Sequence, residues 1–417
     1  MSHFLRPIAL LRTKAALLTF AVAATLPVDA ARASDWPQWR GPQRNGISAE
    51  TNWLREWPAD GPKAAWKAEV GLGFSSIVVA NQRAVTLGHA DDQDTVTCLD
   101  ANTGKVIWKH SYPAELGDKY FEGGTTGTPT FDGDRVHVLS RWGDAVCLEA
   151  ATGKVLWSKN VIQETGARPP DWGFSGAPLV LGDRLFLNVG EAGLALDAKS
   201  GAVIWTSGKK EAGYSTPLPF RKDNEDFAIF SSGEGYSAVR LKDGQRAWNV
   251  RWLTQYGVNA ADPILDGDRL FLSSGYGKGA GMFKMGPSGP ESEPAWKSKV
   301  LGAQMNPPVL LDGHLYGTDG DTTAKASLKC VELATGAEKW AFPKFGSGAM
   351  ILAGGWIIAL NGTGELLTAP ATPAGFSPKS RAQVLGGKTW TVPTLANGLL
   401  YCRNARGEVV CLDLRKS

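Results

Sequence analysis

The sequence predicts an all-β protein, a single eight-bladed β-propeller built from four-stranded antiparallel blades. Three observations lead to this prediction. A tryptophan-ended pattern recurs every 42 to 49 residues, an inner-strand pattern occurs eight times, and the two chain ends each carry one part of an incomplete copy. A repeat of this length is typical of one four-stranded propeller blade.

The tryptophan-ended pattern is a predicted β-hairpin. It reads CLDANTGKVIW at residues 98–108, CLEAATGKVLW at 147–157 and ALDAKSGAVIW at 195–205, with looser copies at 238–248 and 330–340 and a copy stretched by an insertion at 282–296. Glycine allows the positive φ that a tight turn between two strands needs. We expect each indole to lie flat over a small residue of a neighbouring blade. The predicted docking residues are Trp66, Trp108, Trp157, Trp205, Trp248, Trp296 and Trp340.

A second pattern predicts eight inner strands, each followed by a turn and another strand. Three copies, at residues 127–135, 176–184 and 262–269, place Asp next to the glycine of the turn. Asp-Gly-Asp is also compatible with a calcium ligand set, but it stands where a hairpin turn is required, and the turn is the favoured interpretation. The other five copies begin at Ser76, Pro217, Pro308, Met350 and Pro393.

The chain ends predict how the ring closes. The last copy stops at residues 411–417 without the glycine and tryptophan that should follow, while residues 62–68 supply a strand with Trp66. We therefore assign residues 62–417 to the propeller, with N- and C-terminal strands sharing the eighth blade, which removes open sheet edges. Residues 34–61 form an N-terminal extension expected to pack on the propeller. The seventh blade is irregular, because its outer strand near residues 380–385 has no tryptophan.

The first 33 residues are typical of a cleaved export signal. Arg6, Arg12 and Lys14 flank the apolar residues 15–26, and a small-x-small pattern ends at Ala33. The apolar stretch is short for a bilayer span. A buried N-terminal helix is the alternative interpretation of these residues. We expect a periplasmic or secreted protein, cleaved near Ala33, with no membrane span. Cleavage would lower the net charge from +3 to about zero, which argues against a nucleic-acid partner.

Cysteine and histidine do not form a recognisable metal or redox motif. Four of the five cysteines (Cys98, Cys147, Cys330 and Cys411) occupy one repeat slot in four different blades, so we expect small buried core residues. Cys402 could face Cys411 across the last hairpin and form a disulfide, although free thiols are favoured. The histidines are few and unclustered, and we predict no metal site.

The repeat resembles the Ala-x-Asp-x-x-Thr-Gly-Lys-x-x-Trp motif of the pyrroloquinoline-quinone (PQQ)-like repeat proteins, the superfamily of BamB and the quinoprotein dehydrogenases. The residues DWPQWRGP at 35–42 are similar to the start of exported single-propeller members. The resemblance covers residues 35–417 and implies the fold. For the dehydrogenases it implies PQQ above a calcium ion, a catalytic Asp and a disulfide between adjacent cysteines, yet this chain has no Cys-Cys pair and no Cys-x-x-Cys-His haem motif.

The longer connections are predicted to gather on one rim and form a funnel. Aromatic, amide and charged side chains in such a funnel suit a small polar ligand, although the same aromatics could instead pack loops or plug the channel. The ligand-binding candidates are Arg141, Trp142, Asp171, Trp172, Tyr256, Asn259, Gln304 and Asn306.

We expect a monomeric, exported, non-catalytic scaffold that binds a small polar ligand, a glycan or an exported protein and needs no cofactor. The alternative is a PQQ-dependent dehydrogenase of alcohols or sugars, which would require PQQ with calcium.

Overall fold

The computed structural model describes residues 34–119, 121–322 and 325–416, together with Met1 and His3. The chain divides into two compact units, Met1–Ala31 and Arg32–Ser417, and the strands and helices described here all belong to the second unit. The predicted export signal lies outside the described residues except for Met1 and His3, so cleavage near Ala33 stays a prediction.

The second unit is an eight-bladed β-propeller, as predicted. Each blade is a sheet with four antiparallel strands, and the first strands contact one another between blades 1 and 2, 2 and 3, and 6 and 7. Blade 1 comprises β3 (Val78–Ala80), β4 (Arg83–Ala90), β5 (Gln93–Asp100) and β6 (Val106–Pro113), and blade 2 comprises β7 (Thr130–Asp132), β8 (Arg135–Leu139), β9 (Asp144–Glu149) and β10 (Val155–Asn160). Blade 3 comprises β11 (Leu179–Leu181), β12 (Arg184–Leu187), β13 (Leu194–Asp197) and β14 (Val203–Thr206), and blade 4 comprises β15 (Leu218–Lys222), β16 (Glu225–Ser232), β17 (Gly235–Arg240) and β18 (Arg246–Arg251).

Blades 5 to 8 follow the same order, with additions at the insertion and at the chain ends. Blade 5 comprises β19 (Ile264–Asp266), β20 (Arg269–Ser274), β21 (Gly279–Gly286), β22 (Gly289–Pro290) and β23 (Trp296–Ser298), and blade 6 comprises β24 (Val309–Leu311), β25 (His314–Asp319), β26 (Ser327–Glu332) and β27 (Glu338–Phe342). Blade 7 comprises β28 (Ala349–Ala353), β29 (Trp356–Leu360), β30 (Glu365–Pro370) and β31 (Ser380–Gln383), joined by β1 (Ile47–Ser48). Blade 8 comprises β32 (Thr394–Ala396), β33 (Leu399–Arg403) and β34 (Glu408–Asp413), completed by β2 (Ala64–Glu69). One short helix, α1 (Val161–Thr165), follows β10, and a 3₁₀ turn spans Gln255–Gly257.

The two chain ends close the ring in the eighth blade, as predicted. Strand β2 pairs antiparallel with β34, so that Trp66 lies opposite Cys411 and Ala64 opposite Leu412. The outer position of this sheet is therefore filled from the start of the chain, and the ring has no gap between its first and last blades.

Each repeat tryptophan packs on the turn of the next blade. The Trp108 Nε1 donates a hydrogen bond to the Ala150 carbonyl at 3.0 Å, and a Cβ on Gly153 would lie 2.6 Å from the same indole. The neighbouring small residue under the indole is therefore the turn glycine. The Ala or Cys that precedes each tryptophan by ten residues pairs with it within its own blade, as Cys98 does with Trp108.

The insertion in blade 5 and the irregular blade 7 keep this contact by different means. A Cβ on Gly289, in the insertion, would lie 2.7 Å from Trp248, so this glycine replaces the usual turn glycine. Trp340 reaches blade 7 by donating to the Thr372 carbonyl at 2.8 Å and stacking on Phe376.

The N-terminal extension crosses the axis and contacts the inner strands of several blades. Strand β1 adds to blade 7 in parallel with β28, and residues 36–46 reach blades 1, 2, 3, 5 and 6 or the connections just before them. The backbone hydrogen bonds connect Trp36 with Val79 (2.8 Å), Phe131 with Pro37 (2.8 Å) and Leu352 with Gly46 (2.9 Å), and side-chain bonds connect Arg40 with Pro308 (2.8 Å) and Arg44 with Val180 (3.4 Å). The extension thus covers one end of the central channel.

All five cysteines are buried free thiols. Cys402 lies opposite Val410, whereas Cys411 lies opposite Tyr401, so the last hairpin does not place the two cysteines face to face. Burial raises the pKa of the Cys98 and Cys402 thiols to about 12. Within the residues described, no helix has the length and apolar character needed to cross a bilayer.

Candidate functional site

A cavity of about 220 Å³ opens on the axis at the end opposite the N-terminal extension. Most of its lining residues precede the inner strands or stand in the long connections, where the predicted funnel was expected. The lining comprises Trp39, Phe74, Phe121, Thr126, Thr128, Trp172, Ser175, Ala177, Tyr214, Thr216, Val258, Ala260, Asp262, Tyr276, Gln304, Met305, Asn306, Thr322 and Trp390.

Two groups of aromatic rings form opposite parts of the cavity wall. In the first, Trp172 contacts Tyr214 edge-on, with ring centroids 6.0 Å apart, and Tyr276 stands beside them. In the second, Phe74 stacks on Trp390 at 5.1 Å and contacts Phe121 at 5.7 Å. Ring faces that remain accessible in a pocket are suited to stacking on apolar groups or to contacts with cations.

The floor of the cavity is made by Trp39 from the N-terminal extension and Asp262 from the connection before β19. The Trp39 Nε1 donates to Asp262 Oδ2 at 2.7 Å, and the Thr216 backbone N–H donates to Oδ1 at 2.8 Å. Asp262 is only 8% exposed. Burial raises the pKa of its carboxyl, while the positive charge of Arg40 below the floor acts in the opposite direction.

Amide side chains complete the wall between the two aromatic groups. Asn306 donates through Nδ2 to the Trp390 carbonyl at 2.9 Å, which ties blade 6 to the connection before blade 8. Gln304 is 8% exposed, and its Oε1 is a buried acceptor without a hydrogen-bond partner in the described residues. An unsatisfied buried acceptor costs free energy unless a ligand or water donates to it.

Three of the eight predicted ligand-binding residues, Trp172, Gln304 and Asn306, line this cavity. Tyr256 and Asp171 lie on the exposed rim beside it, where Tyr256 contacts Trp172 at 6.4 Å and Tyr276 at 5.5 Å.

Arg141, Trp142 and Asn259 stand behind the wall instead of facing the cavity. The Arg141 guanidinium donates to the Leu116, Gly124 and Trp172 carbonyls at 3.1 Å each and lies 5.1 Å from the centroids of Phe121 and Trp142. Asn259 is fully buried and donates to the Ser232 and Trp252 carbonyls at 2.8 and 3.1 Å. These residues satisfy backbone carbonyls of the long connections, and direct binding by any of the eight stays a prediction.

No sequence pattern singled out Asp262, Trp39, Tyr214, Tyr276 or Trp390 as site residues. One usable signal existed for Asp262, which is a charged residue two positions before the inner strand β19, where several other copies have the small residues Ser76, Thr128, Ala177 and Thr216. Trp39 carried no such signal, because it belongs to the extension and reaches Asp262 from 223 positions away.

No group of three or more His, Cys, Asp or Glu side chains in the described parts of the chain is placed to hold a metal ion. Asp262 is the one charged side chain among the described residues that line the cavity. The site therefore combines aromatic faces, amides and hydroxyls with a single carboxylate.

Comparisons with known proteins agree on the fold. A family model described as outer membrane protein assembly factor BamB matches residues 56–127 and 92–342. The crystal structure of BamB from Moraxella catarrhalis aligns with a TM-score of 0.61 at 17% identity, covering 85% of this chain and 100% of that chain. The quinohemoprotein alcohol dehydrogenase from Comamonas testosteroni aligns with a TM-score of 0.65 at 14% identity, covering 94% of this chain and 82% of that chain.

A europium-containing methanol dehydrogenase gives a TM-score of 0.67 at 12% identity, covering 91% of this chain and 89% of that chain. At these identities the structural likeness concerns the fold alone. A comparison with curated proteins returned no match.

Proposed function

Because the chain belongs to the PQQ-like repeat family that the BamB model describes, we propose that it is an exported, non-catalytic propeller that binds a small ligand in its funnel cavity. The N-terminal residue pattern supports export. The eight blades form the propeller ring, and the cavity on the ring axis is the proposed binding site.

The observation that carries this proposal is the preformed, aromatic-lined cavity closed at its floor by Trp39 and Asp262. Seven of its nineteen lining residues are aromatic. The rings of Phe74, Trp172 and Trp390 are half-buried, and the Trp390 ring is already contacted by Phe74 and by Lys388 Nζ, which lies 4.1 Å from its centroid. Pockets that combine apolar walls with a few fixed polar groups are typical small-molecule sites.

The residues of the cavity do not fit PQQ, the group that the dehydrogenase relatives imply. PQQ carries several carboxylates, and the single charged lining residue among those described is itself a carboxylate. A bound polyanion would meet repulsion from Asp262 without a cation in the lining to offset it. The described residues also provide no cluster of three acidic, His or Cys side chains for the calcium ion that accompanies the quinone. We therefore derive no redox step for this chain.

A fluorescence titration tests the proposed binding. Probes such as glucose, benzyl alcohol and glycylphenylalanine should change the tryptophan emission in a saturable way if one occupies the cavity. Trp172→Ala removes part of one aromatic wall and should weaken that binding about tenfold. Trp356→Ala is the matched control, because Trp356 lies in blade 7 beside Arg55, away from the cavity. Equal losses in the two variants, or no saturable change with any probe, would contradict the proposal.

A protein-interaction scaffold is the second candidate, and one surface feature favours it. The outer strands of blades 1, 2 and 3 each expose two adjacent aliphatic side chains just before the docking tryptophan. These are Val106 and Ile107, Val155 and Leu156, and Val203 and Ile204, each 37 to 53% exposed. Because the three pairs occupy the same position in three consecutive blades, together they form a larger apolar surface than single exposed residues would.

Substitution of this surface distinguishes the two candidates. A triple lysine variant at Ile107, Leu156 and Ile204 should lose a specific exported partner in co-purification, while small-probe binding in the cavity is unchanged. The control carries lysine at three aspartates of the tight turns, Asp134, Asp183 and Asp268. Retention of the partner by the first variant would refute the scaffold.

A further inference from the structure

We infer that the ligand of the funnel cavity is a small organic ammonium ion, bound through its N–H groups to the Asp262 carboxylate and flanked by the aromatic walls. This inference rests on the proposed binding function and adds the chemical class of the ligand. It follows from the charge, the hydrogen-bonding capacity and the ring content of the lining.

The carboxylate at the floor has capacity left for a ligand. Each Asp262 oxygen accepts one protein hydrogen bond, from Trp39 and from Thr216 respectively, whereas a carboxylate offers about four acceptor sites. Both protein partners are neutral donors. The remaining lone pairs therefore suit a positively charged donor, which makes shorter and stronger hydrogen bonds than a neutral one.

The charge of Arg40 does not occupy this capacity. The Arg40 Nη2 donates to the Asn45 carbonyl at 3.0 Å and to the Pro308 carbonyl at 2.8 Å, below the floor. Arg40 is 6% exposed and does not line the cavity. It lowers the cost of burying the Asp262 charge, and Asp262 remains the charge that a ligand in the cavity meets first.

The unsatisfied acceptor on Gln304 points to a ligand with N–H donors. Its Oε1 is buried without a partner among the described residues, and the Gln304 side chain belongs to the cavity lining. An ammonium group with several N–H bonds can serve this oxygen and Asp262 together, whereas a carboxylate or ether ligand can serve neither.

The aromatic walls complete the site for a cation. Trp172 and Tyr276 stand on one side of the cavity and Phe74 on the other, and ring faces attract organic cations. Trp390 supports Phe74 by stacking and already has Lys388 Nζ 4.1 Å from its centroid, so the ligand cation is assigned to the Trp172 side.

A charge series of near-isosteric probes tests the inference on the full-length mature chain. Benzylammonium, benzyl alcohol and benzoate carry positive, zero and negative charge on nearly the same frame. Isothermal titration at neutral pH should show benzylammonium binding about tenfold or more tightly than benzyl alcohol, with benzoate weakest. Asp262→Asn should reduce the ratio of the ammonium to the alcohol affinity to about one. Asp266→Asn, at the far end of β19, makes the same charge change outside the cavity and should leave the ratio unchanged.

Each outcome of the charge series either supports or overturns the ammonium inference. Equal binding of benzylammonium and benzyl alcohol, or tighter binding of benzoate, overturns the ammonium inference while leaving a small-molecule site in place. Failure of all three probes to bind at about 10 mM overturns the inference as well, while glucose, the uncharged fluorescence probe that is absent from this series, tests the binding function separately. If Asp262→Asn does not fold, the probe series on the unmodified chain still decides between these results.

Discussion

The contact between Trp108 and the next blade gives a quantitative test of how the ring is held together. Trp108 is 7% exposed, and its Nε1 donates to the Ala150 carbonyl at 3.0 Å. Burial of an indole removes roughly 150 to 250 Å² from water, which at about 25 cal/mol per Å² corresponds to roughly 4 to 6 kcal/mol. Because part of that surface is already buried in the unfolded chain, we expect Trp108→Ala to lower the free energy of unfolding by about 3 to 5 kcal/mol.

The same contact can be disturbed from its other side. Gly153 has φ +74°, and a Cβ there would lie 2.6 Å from the Trp108 ring, so Gly153→Ala should cost about 1 to 3 kcal/mol. Ile107→Ala is the matched control, because Ile107 precedes Trp108 on β6 and is 43% exposed; it should cost less than about 1 kcal/mol. Urea unfolding followed by circular dichroism, with reversibility established, measures all three. A Trp108→Ala loss no larger than that of Ile107→Ala would refute the docking argument.

Three further predictions concern buried charge and thiols. Arg403→Met should lower the unfolding free energy by about 2 to 4 kcal/mol, because the fully buried guanidinium donates four hydrogen bonds of 2.6 to 2.9 Å to oxygens of blade 1 and the connection before it. Arg381→Met breaks an exposed ion pair and should cost less than about 1 kcal/mol in the same urea unfolding experiment; equal losses would contradict this. Benzylammonium affinity should fall as the pH is lowered from about 8 to about 4, because protonation through the raised pKa of Asp262 removes its charge. Arg40 and Tyr236 face the same carboxyl and keep their charge states over this range, so a flat titration profile would count against the ammonium site. The five cysteines should react with a thiol reagent only after denaturation, because they are buried and burial raises the pKa of each thiol; rapid labelling of the native protein would disagree with this.

The sequence was a good guide to the ring because its signals are local. The hairpin of residues 98–108 contains its own turn glycine and docking tryptophan, so six copies of this hairpin and eight copies of the inner-strand pattern predict the blades without knowledge of tertiary contacts. The closure of the eighth blade followed from counting strands at the two ends, and the pairing of Trp66 with Cys411 agrees with it. The neighbour beneath each indole was less well predicted. The Ala or Cys of the pattern proved to be a cross-strand partner, because the antiparallel register places residues on either side of a turn opposite each other.

The candidate site was only partly predictable, because a long connection carries no local signal for the direction of its side chains. Arg141 and Asn259 were selected for their polarity, yet both are drawn behind the wall by backbone carbonyls that no strand satisfies. Trp172, Gln304 and Asn306 line the cavity, since they belong to connections on the funnel rim, and their role in binding stays a prediction.

By itself, the sequence determined the number of blades, their strand order and the shared closing blade, because the period, the turn glycines and the tryptophans are encoded within each repeat. Only the tertiary structure decided what stands on the axis. Trp39 and Asp262 meet there although 223 positions separate them, since the extension must cross the channel to cover the inner strands. A carboxylate becomes the floor of an aromatic cavity when the closed ring brings five or more connections to one point, and no stretch of sequence contains that arrangement.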